Sequence, residues 1–445
     1  MGRICHAAIR VKIIDTRNLN NYAVPMDTIC FKKIVLRSTI LHVLTFSALF
    51  AFAALAVSCN KSNVIESVEE TELFSLSYGY FDDELNMFSI SDIGNIYTNM
   101  TMRDGFFYIA NGEAGKIMEL NSYGDLLTLY CNEEYAENAD AETTPELHNT
   151  APKKTIAYPF NNPGAVAVDS RKRMYVVSEM PKDRQEKDES GSLLYSQIIL
   201  RFSSTGASED YIGQQGIGGT PFPFIKNIYT TLNDELVVIC ITTEGLLAFW
   251  FSANGALMYK IPLLTNDVPS MPDASAHTEF FPVLADAIPD CSSRTLFVKV
   301  DYYTPHIDED SKIESGIDYV QTNIFPLVIE TGRYRSAITV PPYEEIISAD
   351  YSKLVFRLPY DFLGVSSSGW LFFIITTNTG FNVEMVQPSS QKILRRHFDI
   401  QRNNVLYYSL SLSDAGIISA LFIEKEKARV VWWRTDSLTA AIVKS

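Results

Sequence analysis

Long amphipathic helical patterns are missing from most of the chain, and short apolar or alternating runs take their place. This leaves an all-β reading. Positive charge is scarce: 37 Lys and Arg stand against 53 Asp and Glu, a net charge of −16. The N-terminal segment is basic, so the rest is more acidic still, which argues against partners such as nucleic acid or anionic lipid surfaces. Cysteine is sparse. Cys131, Cys240 and Cys291 are the ones in the body of the chain, an odd set that implies no disulfide framework. Cys240 lies in LVVICI, which reads as a buried strand, so it is expected as a small core residue. G-x-S-x-G, P-loop and H-E-x-x-H motifs are absent. No second long hydrophobic run follows the first.

That first run spans Ile40 to Val57, with Lys32, Lys33 and Arg37 before it and Ala56-Val57-Ser58-Cys59 at its end. A basic segment, an apolar core and a small-residue site make a secretory signal. A thiol just after such a core resembles the lipobox of bacterial lipoproteins, with Ala56 where leucine is usual. The resemblance implies that Cys59 is acylated, for example with palmitate, and becomes the first residue. A plain transmembrane helix with an incidental cysteine is the alternative, since the run is long enough. Acyl chains at about 0.8 kcal/mol per buried methylene hold firmly when two or three are present. The first 25 residues fit no signal, and a start at Met26 gives an n-region of ordinary form. The division expected is residues 1–58 as a removed signal, 59–71 as a lipidated tether, 72–438 as the folded domain and 439–445 as a tail.

Within the domain one grammar recurs. Asn162 to Gly213 reads NPGAVAVDSRKRMYVVSE, an insert, then SQIILRFSSTGASEDYIG. This is strand, turn, strand, loop, strand, turn, strand. The unit before it turns at Asp104-Gly105 and Gly124. A third, from FIKNIYT, turns at Asn233-Asp234 and Asn254-Gly255. Others begin at Phe281 and near Phe362, and the sixth, NVLYYSLSLSDAGIISALFIEKEKARVVWW, stops after three strands. Four-stranded units at this spacing predict a β-propeller. The missing strand has a donor in Glu72 to Gly79, which can pair with Val430 to Trp433 and remove the exposed edges. Six blades closed by the N-terminal strand are therefore expected, with seven blades or a two-sheet sandwich as alternatives. Trp432 and Trp433 are adjacent and point to opposite faces of their strand, so one should be buried and the other is available to an interface.

Pro163, Gly164, Val166, Ala167, Val168, Asp169, Tyr175, Val176, Leu200, Phe202 and Gly206 resemble the NHL repeat. The chain beyond Glu72 also resembles a family of uncharacterised spirochaetal lipoproteins with NHL-type propellers. The resemblance implies a six-bladed NHL-like β-propeller and carries no catalytic residues.

In a meander A-B-C-D, the B–C and D–A connections leave one face and the A–B and C–D turns the other. The long inserts Asn132 to Thr150, Ser178 to Ser192, Leu264 to Glu279 and Thr304 to Gly316 all fall on the first face. Loops of this length are often functional or disordered. The first holds Glu133, Glu134, Glu137, Asp140, Glu142 and Glu146. The fourth holds Asp308, Glu309, Asp310 and Glu314. They are candidate binding loops, or solvated decoration. His306 with Asp308 and Asp310 is a weak candidate for a divalent metal, without EF-hand spacing. Otherwise no cofactor is expected. Asp169, Glu179, Asp286 and Asp301 lie in or beside blade strands and can approach the channel mouth, although single strand-end acids more often form turns.

Two functions follow as expectations. The first is a monomeric, non-enzymatic propeller, lipid-anchored to the inner or outer membrane of a bacterial envelope. It binds an envelope protein or polymer through its acidic face. The second is a metal-dependent hydrolase or lyase with its site at the channel mouth.

Overall fold

The computed structural model describes residues 65–87, 98–132, 153–187, 193–213, 219, 221–272, 279–308, 311–349, 352–401 and 404–443. Cys59, the segment expected as a signal, and the acidic residues of the insert after Asn132 lie outside them. Ile65–Ser445 forms one unit, a six-bladed β-propeller. Blade one is Asn99–Arg103, Phe106–Asn111, Lys116–Leu120 and Leu126–Cys131, with Lys154–Ala157 added in parallel outside. Blade two is Val166–Val168, Met174–Glu179 and Gln197–Phe202; its fourth position is held by the bridges Ile199↔Ile212 and Phe202↔Ser208. Blade three is Phe224–Thr230, Leu236–Thr242, Gly245–Phe251 and Leu257–Leu264. Blade four is Phe281–Pro289, Thr295–Ile307 and Glu314–Val328, the last bordered by Arg333–Tyr334 and Ile338–Val340. Blade five is Asp361–Val365, Leu371–Thr377, Gly380–Gln387 and Lys392–Asp399, and blade six is Val405–Leu412, Ile418–Glu424 and Ala428–Trp433.

The ring closes as the sequence grammar requires. Thr71–Leu76 pairs antiparallel with Ala428–Trp433, from Thr71↔Trp432 to Leu76↔Ala428. Arg429 fastens this seam, with Nη1 2.7 Å from Glu70 and Nε 2.9 Å from Glu424. Phe74 of the closing strand meets the Phe107 ring edge-on at 5.6 Å. Gly124, at φ +86°, leaves room for it: a Cβ there would lie 2.7 Å from Phe74 Cβ. The chain is held earlier than expected, because Glu66–Ser67 already pairs in parallel with the outer strand of blade five. Residues 66–70, expected as part of a tether, therefore belong to the folded unit.

Six apolar clusters fill the six gaps between blades, each drawing on two neighbouring sheets. This explains the near-continuous apolar runs of the second strands, such as LVVICIT and LFFIITT. Such a strand is covered on both faces and has no need of polar alternation. Cys240 is fully buried in one of them. Trp433 is buried and stacked on Phe398 at 4.5 Å, while Trp432 is only half-buried.

Three elements differ from expectation. Thr304 to Gly316 is not a loop: strands B and C of blade four continue to Ile307 and from Glu314, closed by a short turn. The stretch before blade five forms a separate hairpin, Tyr343–Ala349 with Ser352–Leu358. The residues after the sixth blade form a helix, Thr435–Val443, where a tail was expected from 439.

Candidate functional site at the channel mouth

First strands line the channel, and the chain direction gives the ring two unlike faces. The A–B and C–D turns make a smooth face. Asp104 and Gly105 both adopt positive φ (51° and 79°), the geometry of a two-residue hairpin turn that matches strand twist. Contacts between these turns link neighbouring blades at five of the six gaps. Arg103 pairs with Asp414, joining blades one and six. Lys172 Nζ stands 4.5 Å over the Phe106 ring, joining one and two. Asp234 accepts from Ser170 N and Oγ (3.0 and 2.6 Å) and pairs with Arg171 at 2.8 Å, joining two and three. Glu235 accepts from Trp250 Nε1 at 2.7 Å and pairs with Arg294 at 2.6 Å, joining three and four. Ser367 N donates to the Asp414 carbonyl at 2.8 Å, joining five and six.

Among the described residues, the long connections begin and end on the opposite face, at residues 77–87 and 98, 132 and 153, 180–187 and 193–196, and 265–272 and 279–280, together with the blade-four hairpin extension and the hairpin of residues 343–358. Here the channel mouth is charged on one side. Lys226, on the first strand of blade three, reaches Asp286 Oδ1 on the first strand of blade four at 2.8 Å. An irregularity between Leu284 and Asp286 re-aims that carboxylate. Lys299 and Asp301 alternate along the second strand of blade four and so share a face. Their ion pair, Nζ to Oδ2, is 2.5 Å, and both side chains are about 95% buried (4% and 5% exposed). Thr322 Oγ1 donates to Asp301 Oδ1, and the Tyr319 hydroxyl lies 2.8 Å from Thr322 Oγ1. Burial pushes Tyr319 up to about 12. A buried ion pair roughly breaks even against apolar packing, so stability alone does not explain this chain of polar groups.

Asp361 opens the first strand of blade five and faces the same cluster. Its carboxyl is raised chiefly by burial; Lys299 opposes the shift, and Asp286 and Asp301 add to it. Its side chain nevertheless reaches solvent and has no hydrogen-bond partner among the described residues. On the other side of the channel, Ser409 Oγ donates to Asn99 Oδ1 at 2.9 Å and accepts from Met100 N at 3.1 Å, and the Glu113 carboxylate accepts from Thr98 Oγ1 at 2.8 Å.

The sequence-derived candidates divide accordingly. Asp286 and Asp301 belong to the cluster. Asp169 sits on the smooth face as a turn former, accepting from Arg171 N (3.0 Å), Arg173 N (2.8 Å) and Arg173 Nε (2.6 Å). Glu179 accepts from Asn162 Nδ2 at 3.1 Å within blade two. His306 Nδ1 meets Asp318 at 2.7 Å across the hairpin, and Asp308 Oδ1 accepts from Ser311 N (2.6 Å) and Oγ (2.8 Å), capping the turn. Glu309 and Asp310 lie outside the described residues. Among the described residues, no group of three or more His, Cys, Asp or Glu is placed to hold a metal. At the channel mouth the donor set does not suit a divalent ion either, because lysine ammonium groups already occupy oxygens of Asp286 and Asp301. Lys226, Lys299 and Asp361 escaped the sequence reading. The signal was there as single lysines interrupting FIKNIYT and TLFVKVDYY.

The architecture is thus that of the six-bladed β-propellers. No family model matches the chain, and no curated protein matches it. Among solved structures it is similar to a gluconolactonase from Xanthomonas campestris described as important in glucose secondary metabolic pathways (9% identity, 84% of this chain and 98% of that one, TM-score 0.37). It is also similar to a calcium-binding protein, regucalcin, from Agrobacterium tumefaciens (10% identity, 83% and 95% covered, TM-score 0.37). A nidogen/laminin complex is similar over 67% of this chain and 78% of that one (10% identity, TM-score 0.32). Likeness at this level says nothing about the residues of the site.

Proposed function

We propose that the protein is a lipid-anchored bacterial envelope propeller that binds an envelope protein or polymer on its loop-bearing face. The observation that carries this reading is that, among the described residues, the long connections begin and end on one face, over a ring whose other face is cross-linked at five of its six gaps. Rigid scaffolds that present grouped loops are how propellers and similar folds commonly carry recognition. Lipidation at Cys59 is the proposed anchor. From Cys59 to Ile65 an extended chain spans roughly 20 Å. Glu66–Ser67 runs parallel to the outer strand of blade five, toward the loop-bearing face.

The test is crosslinking in intact cells, with identification of what attaches to residues 132–150 and 304–316, alongside labelling with an alkyne-tagged fatty acid. One discrete adduct and a label lost in Cys59→Ser are expected. No specific adduct, or a label that persists in the variant, overturns the corresponding half of the proposal.

A second reading, a hydrolase at the channel mouth, is favoured by one observation. Asp361 stands beside Asp286 and Asp301 with its carboxyl raised, the direction that general-acid chemistry requires. It predicts ester or lactone turnover that Asp361→Asn abolishes; an inactive wild-type protein across such a panel removes it.

A further inference from the structure

Blade four is built differently from the rest. Its second and third strands have 13 and 15 residues, where those of blade three have 7 each. Pairing continues outward to His306↔Gly316 and Ile307↔Glu314, and the first strand follows it as far as Phe281↔Tyr303. A three-stranded slab therefore extends from the loop-bearing face.

One edge of that slab is open. Ile338–Val340 pairs with the third strand only at Thr322 to Ile324, and Arg333–Tyr334 only at Leu327 and Val328. Residues 314–321, ESGIDYVQ, pair with the second strand alone. The hairpin of residues 343–358 approaches this strand but forms no ladder with it. Among the described residues, no other main-chain hydrogen bond reaches this segment. Natural proteins blunt such edges with proline, lysine, bulges or a covering loop; ESGIDYVQ contains neither proline nor lysine, and its register slips only at Ser315 and Val320, leaving Gly316 to Tyr319 regular.

The two faces of the edge differ. Ile317 and Tyr319 lie on one, beside Pro305 and Tyr303, whose ring meets Tyr319 edge-on at 5.8 Å. Ile317 is 62% exposed, and Phe281, Val283 and Ile307 are exposed nearby. Asp318 lies on the other face with 58% of its side chain exposed. The surrounding sequence is acidic, with Asp308, Glu309, Asp310 and Glu314 against Lys312. From Gly316 to Tyr319 the register is regular and the strand has a period of two, so a strand laid there would present side chains alternately to the face of Ile317 and Tyr319 and to that of Asp318.

We infer that residues 314–321 receive an extended segment of a partner protein by β-augmentation, a segment that alternates aliphatic and basic residues. Main-chain hydrogen bonds supply affinity and the alternating side chains specificity. The inference rests on the binding reading above and names the class of partner.

The test titrates the purified full chain with a fluorescent peptide of alternating valine and lysine. Controls are the same peptide with alternate backbone nitrogens methylated and a valine–glutamate counterpart. At least tenfold weaker binding is expected for both controls, and for the parent peptide on Ile317→Asp. Tyr123→Asp, on an exposed smooth-face turn, should bind as wild type does. Equal binding of the methylated peptide would reduce the effect to charge attraction and overturn the inference. A dimer of the full chain lost in Ile317→Asp would assign the edge to a second copy and overturn it too. Peptide failure with persistent crosslinks from the loop face sinks the edge alone; loss of both sinks the binding reading with it.

Discussion

The smooth face and the loop-bearing face are made from opposite ends of the same strands, yet their charges are used in opposite ways. On the smooth face Asp169, Asp234, Glu235 and Asp414 are each taken up by an arginine, a serine or an indole, mostly from the next blade. These contacts lock a ring. On the other face Lys226–Asp286 and Lys299–Asp301 line a channel mouth, and Asp361 stands beside them without a hydrogen-bond partner among the described residues. Smooth-face contacts close five of the six gaps, all but that between blades four and five, so one face carries most of the closure. The other is released from that constraint and can carry long connections, an open edge and polar groups that stability does not call for.

The largest expected effect that sharpens this contrast is at Lys299. Lys299→Met leaves Asp301 buried and uncompensated and should cost about 3–5 kcal/mol in urea unfolding. Lys299→Met with Asp301→Leu should recover most of that loss, because the pair is not held for stability. If the double variant is as unstable as the single, the channel-mouth pair is structural after all. On the smooth face Glu235→Ala strands the Trp250 indole N–H and frees the partly exposed Arg294. It should cost roughly 2–3 kcal/mol, and no partner change should rescue it. The smallest effect concerns the strap of residues 77–87 over blade one. Lys116 is buried and donates to the Phe81 carbonyl at 2.7 Å and the Asp82 carbonyl at 3.3 Å. Burial lowers its pKa from 10.5 to about 8, opposed by the Asp82 and Asp83 charges. Between those values the unfolded chain binds more protons than the folded one, so this contribution to stability rises with pH from about 8 to 10.5 and is flat below. Denaturant unfolding of wild type minus Lys116→Met across that window should show the rise, and a flat difference would contradict it.

Much of the ring was legible because its grammar is local. Asp104-Gly105 and Asn254-Gly255 mark turns, apolar second strands mark blade centres, and a sixth unit one strand short points to its N-terminal donor. The hairpin of residues 343–358 was missed because YEEIISADYSKLVFRL alternates well but has no place in a four-strand unit. The blade-four extension was taken for a loop because His306, Asp308 and Ser311 resemble loop residues, whereas register with residues 314–321 fixes them as strand and tight turn. Asp361 was overlooked because that unit was counted from Phe362, one residue late. Lys226 and Lys299 acquire meaning only from the neighbouring blade, a contact that no spacing along the chain encodes.

The central claim is that contacts are made on the loop-bearing face. A photo-crosslinking amino acid placed at Ile317 or at Tyr123, both well exposed at 62% and 83%, tests it in intact cells. The account predicts one discrete adduct from Ile317 and none from Tyr123; adducts of equal yield from both positions, or from Tyr123 alone, would contradict it.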